Sequence, residues 1–443
     1  VSLPWALRAL ASRNFRLFFS GQIVSLVGSW ITTATNAWLV FHLTKRTDLL
    51  GLSAFLSQIP AFVLAPIAGV WIDRWDLRRV LVLTQSLSLL ESIALAALCW
   101  HGHLPVPVMV GTILGLQAFQ GVINSVDLPA RQSFGVQMVD DRAHLTNAIA
   151  LNSTMVNVSR AIGPAIAGAL IALAGPGNDV RGAAWCYSLD VVSYIGVIYA
   201  LAIMKPNPVE RARHLHGARA AFTEGLLYVR NFPALRNALL LLCATSFFGV
   251  SINTQLAAIA PGLLHVRADG YGLLVGGIGG GATVSALYLA TRRTTHGLPT
   301  LLSYASLMFG TALLGLSFVH RYGVALLLAP VIGAAMILQS AGTNTLCQTL
   351  SEDTKRGRVM AFFTMSFMGM VPLGAVALGA LSQHLGMRPT LFAYAAAVIV
   401  ASLTFGPTLR RISREMKDAA TPAVLAAAGD EPEAEAQATT VSK

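Results

Sequence analysis

The sequence is poor in charge. Only 12% of its 443 residues are Asp, Glu, Lys or Arg, while 55% are hydrophobic; a soluble domain carries roughly 25% charged residues to face water. A chain of this length with so little polar surface cannot be wrapped in solvent, so its surplus apolar surface must face lipid. Acidic residues are the scarcer kind, 20 against 31 basic, for a formal net charge of +11. That excess does not point to a nucleic-acid partner, because the basic residues are scattered and form no stripe interleaved with aromatics. Cysteine is scarce too. Cys99, Cys186, Cys243 and Cys347 lie far apart in apolar runs, without metal-ligand spacing, and read as buried helix residues. No H-E-x-x-H occurs, and His42, His101, His103, His265 and His320 fall near the ends of apolar runs. Neither a metal, a cofactor nor the nucleophile–base pair of an intramembrane enzyme is therefore expected. No short apolar core followed by a small-residue cut site opens the chain, so no cleaved signal peptide is expected.

What the sequence has in abundance is long apolar runs, reflected in a mean hydropathy of +0.63. A spanning helix needs about twenty mostly apolar residues. Runs of that kind fall near 15–38, 49–72, 79–100, 106–127, 145–173, 183–204, 234–262, 268–290, 298–319, 322–344, 358–384 and 388–409. Its 19 prolines and 39 glycines do not oppose this reading, since both are commoner in membrane helices than in soluble ones. The expected fold class is an all-α membrane protein of twelve transmembrane helices.

The breaks between runs set an orientation. Arg8, Arg13 and Arg16 precede the first run, Arg74, Arg78 and Arg79 occupy the second break, and Lys205, Arg211, Arg213, Arg219, Arg230 and Arg236 fill the central one. Later even-numbered breaks and the tail add Arg292, Arg293, Lys355, Arg356, Arg358, Arg410, Arg411, Arg414 and Lys417. The odd-numbered breaks hold little beyond Lys45, Arg46, Arg181, Arg267, Arg321 and Arg388. By the positive-inside rule both termini are expected in the cytoplasm. The basic stretch divides the chain into an N-terminal six-helix bundle (1–204), a cytoplasmic linker (205–232), a C-terminal six-helix bundle (233–410) and a disordered cytoplasmic tail (411–443). The halves echo each other weakly. Ser351-Glu352-Asp353 and Val371-Pro372-Leu373-Gly374 stand in the second half where Val139-Asp140-Asp141-Arg142 and Gly163-Pro164 stand in the first.

Three stretches carry a resemblance. Gly69-Val70-Trp71-Ile72-Asp73-Arg74-Trp75-Asp76-Leu77-Arg78-Arg79 resembles G-x-x-x-D-R-x-x-R-R, the loop motif between helices two and three of the major facilitator superfamily. Asn14-Phe15-Arg16, Ser25-Leu26-Val27-Gly28-Ser29-Trp30 and Trp38-Leu39-Val40 are similar to one branch of it, bacterial exporters grouped with the enterobactin exporter and the macrolide-efflux proteins. Asp127-Leu128-Pro129-Ala130-Arg131-Gln132 and Arg160-Ala161-Ile162-Gly163-Pro164 fit the same branch. The resemblance is close in the first half and rests mainly on helix count in the second. It implies two six-helix bundles that rock about a central site, in secondary transport. The helix-five motif Gly163, Pro164 and Gly168 resembles the Gly-Pro motif of antiporters and implies export, although Ser159 and Ala167 stand where glycines are usual. A kinked packing helix without directional meaning is the alternative.

The loop motif can be read physically as well. Gly69 admits a close approach of two helices. Asp73 at the membrane surface can cap a helix or pair with Arg74 and Arg78, forming a latch made in one conformation and broken in another. Plain anchoring of the loop is the alternative. Asp76 and Leu77 depart from the motif, which has a small and a basic residue there. Asp127 and Arg131, at the same end of helix four, are expected in the same surface charge network.

A charge at mid-bilayer costs at least a few kcal/mol, so each one is a candidate for function. Glu91 lies halfway along helix three and Arg160 halfway along helix five. Asp190 lies about 10 Å deep in helix six at 1.5 Å per residue. Arg160 and Asp190 come to similar depth and are expected to pair. Glu91 is the leading proton-coupling candidate, since an unpaired carboxyl in low dielectric is the kind of group that exchanges protons near neutral pH; pairing with Arg160 is its alternative. Gln117 stands where many relatives of the superfamily carry an arginine, so their proton relay does not transfer simply.

No acidic residue falls within the spans of the second half. Gln22, Asn36, Gln58, Gln117, Asn253, Gln255, Gln339 and Asn344 are expected to line a midplane cavity, walled by Trp30, Trp38, Phe119 and Phe248. Such a cavity suits an amphipathic solute better than a highly charged ion. The leading expectation is a monomeric proton-coupled exporter of a small amphipathic molecule, a drug, siderophore or metabolite, with protons and membrane lipid as its other partners. Movement of lipid or lysolipid by the same fold is the runner-up, and a sensor without transport would need a soluble domain that the short tail does not supply.

Overall fold

Lipid offers no partner to a backbone amide or carbonyl, so an apolar run must satisfy its own hydrogen bonds, and a helix does so. The structure, a computed structural model, describes residues 5–72, 75–102, 104–135, 138, 145–204, 218–292 and 297–440. Among the described residues, 12 helices are long and apolar enough to cross a membrane. They are labelled here α1 (Arg13–Thr44), α2 (Thr47–Ile72), α3 (Leu77–His101), α4 (Val106–Gly135), α5 (Leu145–Leu173) and α6 (Asp179–Ile203). The second half contributes α7 (Pro233–Leu263), α8 (Ala268–Thr291), α9 (Leu298–Phe318), α10 (Tyr322–Leu350), α11 (Asp353–Leu385) and α12 (Met387–Thr440). Each expected run appears as one of them.

The helix ends explain both departures from the loop motif. Asp76 is the N-cap of α3, its carboxylate accepting from the backbone N–H of Arg78 (2.9 Å) and Arg79 (3.2 Å). Leu77 is buried at the start of α3 in a cluster with Phe15, Phe18, Phe134 and Leu201, where a basic side chain would have been desolvated. Between α1 and α2 the chain turns in two residues. Lys45 adopts the left-handed conformation (φ 54°) and its N–H donates to Phe41 O.

α1–α6 pack among themselves, as do α7–α12, giving two six-helix bundles. Two seams join the bundles, α5 against α8 and α2 against α11. Both are built on backbone contact. A Cβ on Gly168 would lie 2.3 Å from Ala268 O, and one on Gly51 would lie 2.4 Å from Ala375 O. Small residues let backbones approach this closely, and dispersion then holds the helices.

Burial is uneven along the bundle axis. At the end away from the termini one apolar cluster runs through both halves, taking Leu39, Leu50 and Tyr187 from the first and Leu256, Tyr271 and Leu378 from the second. At the end carrying the termini the clusters are separate: Phe15, Leu81 and Phe134 belong to one half, Leu302, Leu346 and Val359 to the other. Among the described residues the apolar core is thus fused across the bundles at one end and separate at the other.

Within the expected linker, Ala218–Asn231 is a helix. It docks on the second half: Glu224 pairs with Arg358, and Lys355 lies 4.7 Å over the Tyr228 ring. The backbone of α12 continues as helix through Thr440, across most of the stretch expected as a disordered tail.

Candidate functional site

Between the bundles lies a cavity of about 520 Å³, a size that suits a small molecule. Its walls are unlike. Nearly all its polar lining comes from α1–α6, including Ser29, Thr32, Asn36, Gln58, Glu91 and Gln117, together with the charged Asp127, Arg131, Arg160 and Asp190. The second half supplies Val250, Val275, Ile278, Met336, Phe367 and Met368, relieved only by Asn253, Thr254 and Tyr271.

α1 is the keel of the polar wall, and it shows what Ser25–Trp30 does. Ser25 Oγ reaches Gln85 Oε1 at 3.5 Å, and Ser29 Oγ and the Tyr194 hydroxyl are 3.3 Å apart. Trp30 lies under the Arg160 guanidinium, 5.0 Å from ring to carbon, a cation–π contact. Gly28 makes room for Asp190: a Cβ there would sit 2.3 Å from Asp190 Oδ1 and 2.4 Å from Ser193 Oγ.

Asp190 is 1% exposed and takes three hydroxyl donors, from Thr32 (2.7 Å), Ser92 (2.9 Å) and Ser193 (3.0 Å). The expected Arg160–Asp190 pair is not formed. Similar depth did not bring the two together, because Arg160 is turned onto Trp30 and hydroxyls satisfy the carboxylate instead. Glu91 is 4% exposed and lines the cavity. Among the described residues it makes neither a hydrogen bond nor an ion pair, so the alternative of pairing with Arg160 does not hold.

Asp127 and Arg131 also stand apart from their expected place. Asp127 is 2% exposed, pairs with Arg131, and accepts from Thr84 Oγ1 (2.7 Å) and Gln85 Nε2 (2.9 Å). The pair lines the cavity and is not part of a surface network. Asp73 and Arg74 lie outside the described residues, and Gly69 is described only as backbone of α2. Arg78 turns to its own half, its Nε donating to Leu201 O at 2.8 Å and a terminal nitrogen to Ala202 O. It thereby satisfies carbonyls at the C-terminal end of α6, where a cation is favoured.

Of the neutral residues expected to line the cavity, Asn36, Gln58, Gln117 and Asn253 do. Asn36 Oδ1 accepts from the Tyr187 hydroxyl (2.7 Å), and Gln117 Oε1 accepts from Ser53 Oγ (2.6 Å). The other four do not. Gln22 is buried below the cavity, and Gln255 serves the closed end, donating to Thr47 O at 3.1 Å. Asn344 accepts from Gln348 one turn on (2.8 Å). Gln339 is buried with neither amide atom partnered, and nothing in the structure explains it. Among the expected walls only Trp30 takes part. Trp38 belongs to the closed end, donating to Asp179 Oδ1 (2.9 Å) and stacking on Tyr271 at 5.5 Å. Phe119 is 41% exposed on the lipid side of α4, two residues and so about 200° round from Gln117. Phe248 packs on Phe247 and Tyr394.

Sequence reasoning missed the Thr32, Ser92 and Ser193 hydroxyls and the lining residues Gln85, Ser88, Gln120 and Asn124. A signal was present. Thr84, Gln85, Ser88, Glu91 and Ser92 on α3, and Gln117, Gln120, Asn124, Asp127 and Arg131 on α4, recur at helical spacing, and a polar stripe in a membrane helix marks its interior face. In helix five, Pro164 borders the cavity, a Cβ on Gly163 would meet Trp30 Cβ at 2.5 Å, and Gly168 lies in the seam against α8.

Comparison with known proteins agrees with this geometry. Residues 4–428 match the family described as transmembrane secretion effector. The staphyloferrin A transporter of Staphylococcus aureus is 23% identical over 403 residues, 91% of this chain and 98% of its own length. The enterobactin exporter of Citrobacter koseri is 26% identical over 374 residues, 83% of this chain and 85% of its own. Among solved structures, a bacterial homologue of the iron transporter ferroportin in an inward-facing state shares the fold at a TM-score of 0.66 and 16% identity, covering 90% of this chain and 98% of that one. The chain belongs to the transmembrane secretion effector family of the major facilitator superfamily, multi-pass membrane transporters and not enzymes.

Proposed function

We propose that this protein exports a small amphipathic molecule, of the drug, siderophore or metabolite kind, across the bacterial inner membrane by proton antiport and alternating access. The observation that carries the reading is the two-faced cavity, with charge and hydroxyls on one wall and aliphatic, thioether and aromatic groups on the other. Such a site orients a solute that has a polar end and an apolar body. Relatives named for a siderophore transporter and a siderophore exporter support the class of cargo.

The basic residues of the linker and even-numbered breaks support cytoplasmic termini. On that orientation the fused end faces outward and the separate end inward, which supports reading this conformation as the inward-facing one that loads from the cytoplasm. The rocking units are 1–204 and 233–410, joined by 205–232 and followed by a tail, 411–443. Glu91 exchanges the proton, with Asp190 and Arg160 setting the field around it. Gly69, Asp73, Arg74 and Arg78 form the latch of the α2–α3 loop, and Asp127 with Arg131 holds α4 to α3 beside it. Helix five, through Gly163, Pro164 and Gly168, carries the seam that opens.

The test is transport into or out of proteoliposomes under an imposed pH gradient, with a panel of dyes, antibiotics and siderophores. Gradient-dependent movement abolished by a protonophore supports antiport; movement indifferent to the gradient removes it. An Asp73→Asn protein that cycled as fast as wild type would remove the latch.

A further inference from the structure

Of the five Asp, Glu and Arg side chains that line the cavity, three are engaged. Asp127 holds Arg131 and accepts from Thr84 and Gln85, while Asp190 is ringed by the hydroxyls of Thr32, Ser92 and Ser193. Two are left over, one acidic and one basic. Glu91, 4% exposed, has no hydrogen-bond donor among the described residues. Arg160 has no ion pair among them, and its Nε has no hydrogen-bond partner. They do not pair with each other, because the guanidinium is held over the Trp30 ring. A buried guanidinium has no neutral form to fall back on, and a buried carboxyl that holds its proton gives it up when a cation arrives, so both positions call for a partner.

We propose that the missing partner is the cargo itself, and that the cargo is a zwitterionic amphiphile: a carboxylate bound by Arg160, an ammonium bound by Glu91, and an apolar body against the second half. The guanidinium presents a planar fork that matches a carboxylate with two hydrogen bonds, and Trp30 fixes its plane. An ammonium arriving at Glu91 occupies the same carboxyl as the proton, which leaves to the bulk water. Val250, Val275, Ile278, Met336 and Phe367 receive the body. This assignment deepens the exporter reading and rests on it only for the direction of movement.

The experiment measures binding without any gradient, so that it reads separately from coupling. Full-length protein in nanodiscs of zwitterionic lipid is titrated with four probes that share a pyrenyl body: pyrenylalanine, pyrenylethylamine, pyrenylpropionate and N-acetylpyrenylalanine amide. Pyrenylalanine is expected to bind at least about tenfold more tightly than each of the other three, the worth of one charge-assisted hydrogen bond. Arg160→Gln should erase its advantage over the amine, and Arg160→Lys should restore part of it. Glu91→Gln should erase its advantage over the carboxylate. An amine or a carboxylate that bound as tightly as the zwitterion would overturn the assignment, as would an Arg160→Gln protein weakened equally toward all four probes. If zwitterion selectivity held while no compound moved with a pH gradient, the antiport reading alone would fall. Gradient-driven movement without zwitterion selectivity would sink this proposal and spare that one.

Discussion

Replacing Gly28 by alanine adds one methyl group and tests how the polar wall is built. The new Cβ would lie 2.3 Å from Asp190 Oδ1, 2.4 Å from Ser193 Oγ and 3.0 Å from Ser193 Cβ, and contacts under 3.0 Å are essentially never found. α1 and α6 are packed along their length, so the carboxylate has to retreat. A retreat of that size is enough to break the bonds from Thr32 (2.7 Å) and Ser193 (3.0 Å). Hydrogen bonds to a charged group are worth about 1.5–3 kcal/mol each, and overpacking a core costs about 1–3 kcal/mol. Partial relaxation of the helices lowers the sum, and we expect Gly28→Ala to cost about 2–4 kcal/mol of stability. The assay is denaturant unfolding in mixed micelles, repeated in an Asp190→Ala, Ser193→Ala background that removes both oxygens. There the same substitution should cost under about 1 kcal/mol, since neighbouring sites are strongly non-additive. An equal cost in the two backgrounds would refute the claim that Gly28 exists to seat Asp190.

Further expectations address the proton site, the seam and the helix ends. Glu91→Gln should leave expression intact and flatten the dependence of transport on the pH gradient in proteoliposomes; full proton-driven transport would place coupling elsewhere. Gly168→Leu should wedge α5 from α8, where even a Cβ meets Ala268 O at 2.3 Å and Gly272 Cα at 2.9 Å. Spin labels at the outer ends of these helices should then report a longer separation, and an unchanged distribution would count against the seam. Asp76→Ala removes the α3 N-cap and should cost about 1 kcal/mol, whereas Asp76→Asn, which still caps, should cost little by the same unfolding measurement.

Depth and direction were legible in the sequence to different degrees. Hydropathy fixes which residues enter the membrane, because lipid penalises charge and exposed backbone alike, and so all twelve spans were found. The same reasoning put Glu91, Arg160 and Asp190 at mid-depth. It did not give their azimuth. Pairing of Arg160 with Asp190 was inferred from depth alone, and the partners each side chain took instead, Trp30 and three hydroxyls, lie on α1, α3 and α6. Neutral amides fared similarly: Asn36 and Gln117 face the cavity, while Gln255 and Gln339 are buried between helices. A glutamine satisfies an interhelical carbonyl as readily as a solute, so its presence in a span says nothing of which it meets. For Asp127 and Arg131, the error lay in reading the charged end of α4 as surface when the opening between the bundles brings it into the cavity.

The distribution of strong interactions bears on how such a molecule could move. Among the described residues, every ion pair lies within one bundle or between the linker helix and the second bundle, as in Asp127–Arg131 and Glu224–Arg358. What crosses between bundles is weaker. Thr47 donates to Gln383 Oε1 from its N–H (3.0 Å) and to Gly379 O from its hydroxyl (2.9 Å), Gln255 donates to Thr47 O (3.1 Å), and Tyr271 donates to Ala34 O (3.3 Å). Neutral bonds of this kind contribute about 0.5–1.5 kcal/mol each, while breaking a buried ion pair costs about 3–5 kcal/mol. The glycine contacts of the seams add dispersion, which is recovered when helices repack elsewhere. A closed end held by a few neutral bonds and backbone contacts can part at a cost that a proton gradient or a bound solute is able to meet. In the proposed alternating-access cycle the charged network of the first bundle travels with it unbroken. Keeping ion pairs inside the bundles serves both tasks of the proposed cycle at once, giving the solute a fixed polar wall and leaving the seams free of interactions too strong to open.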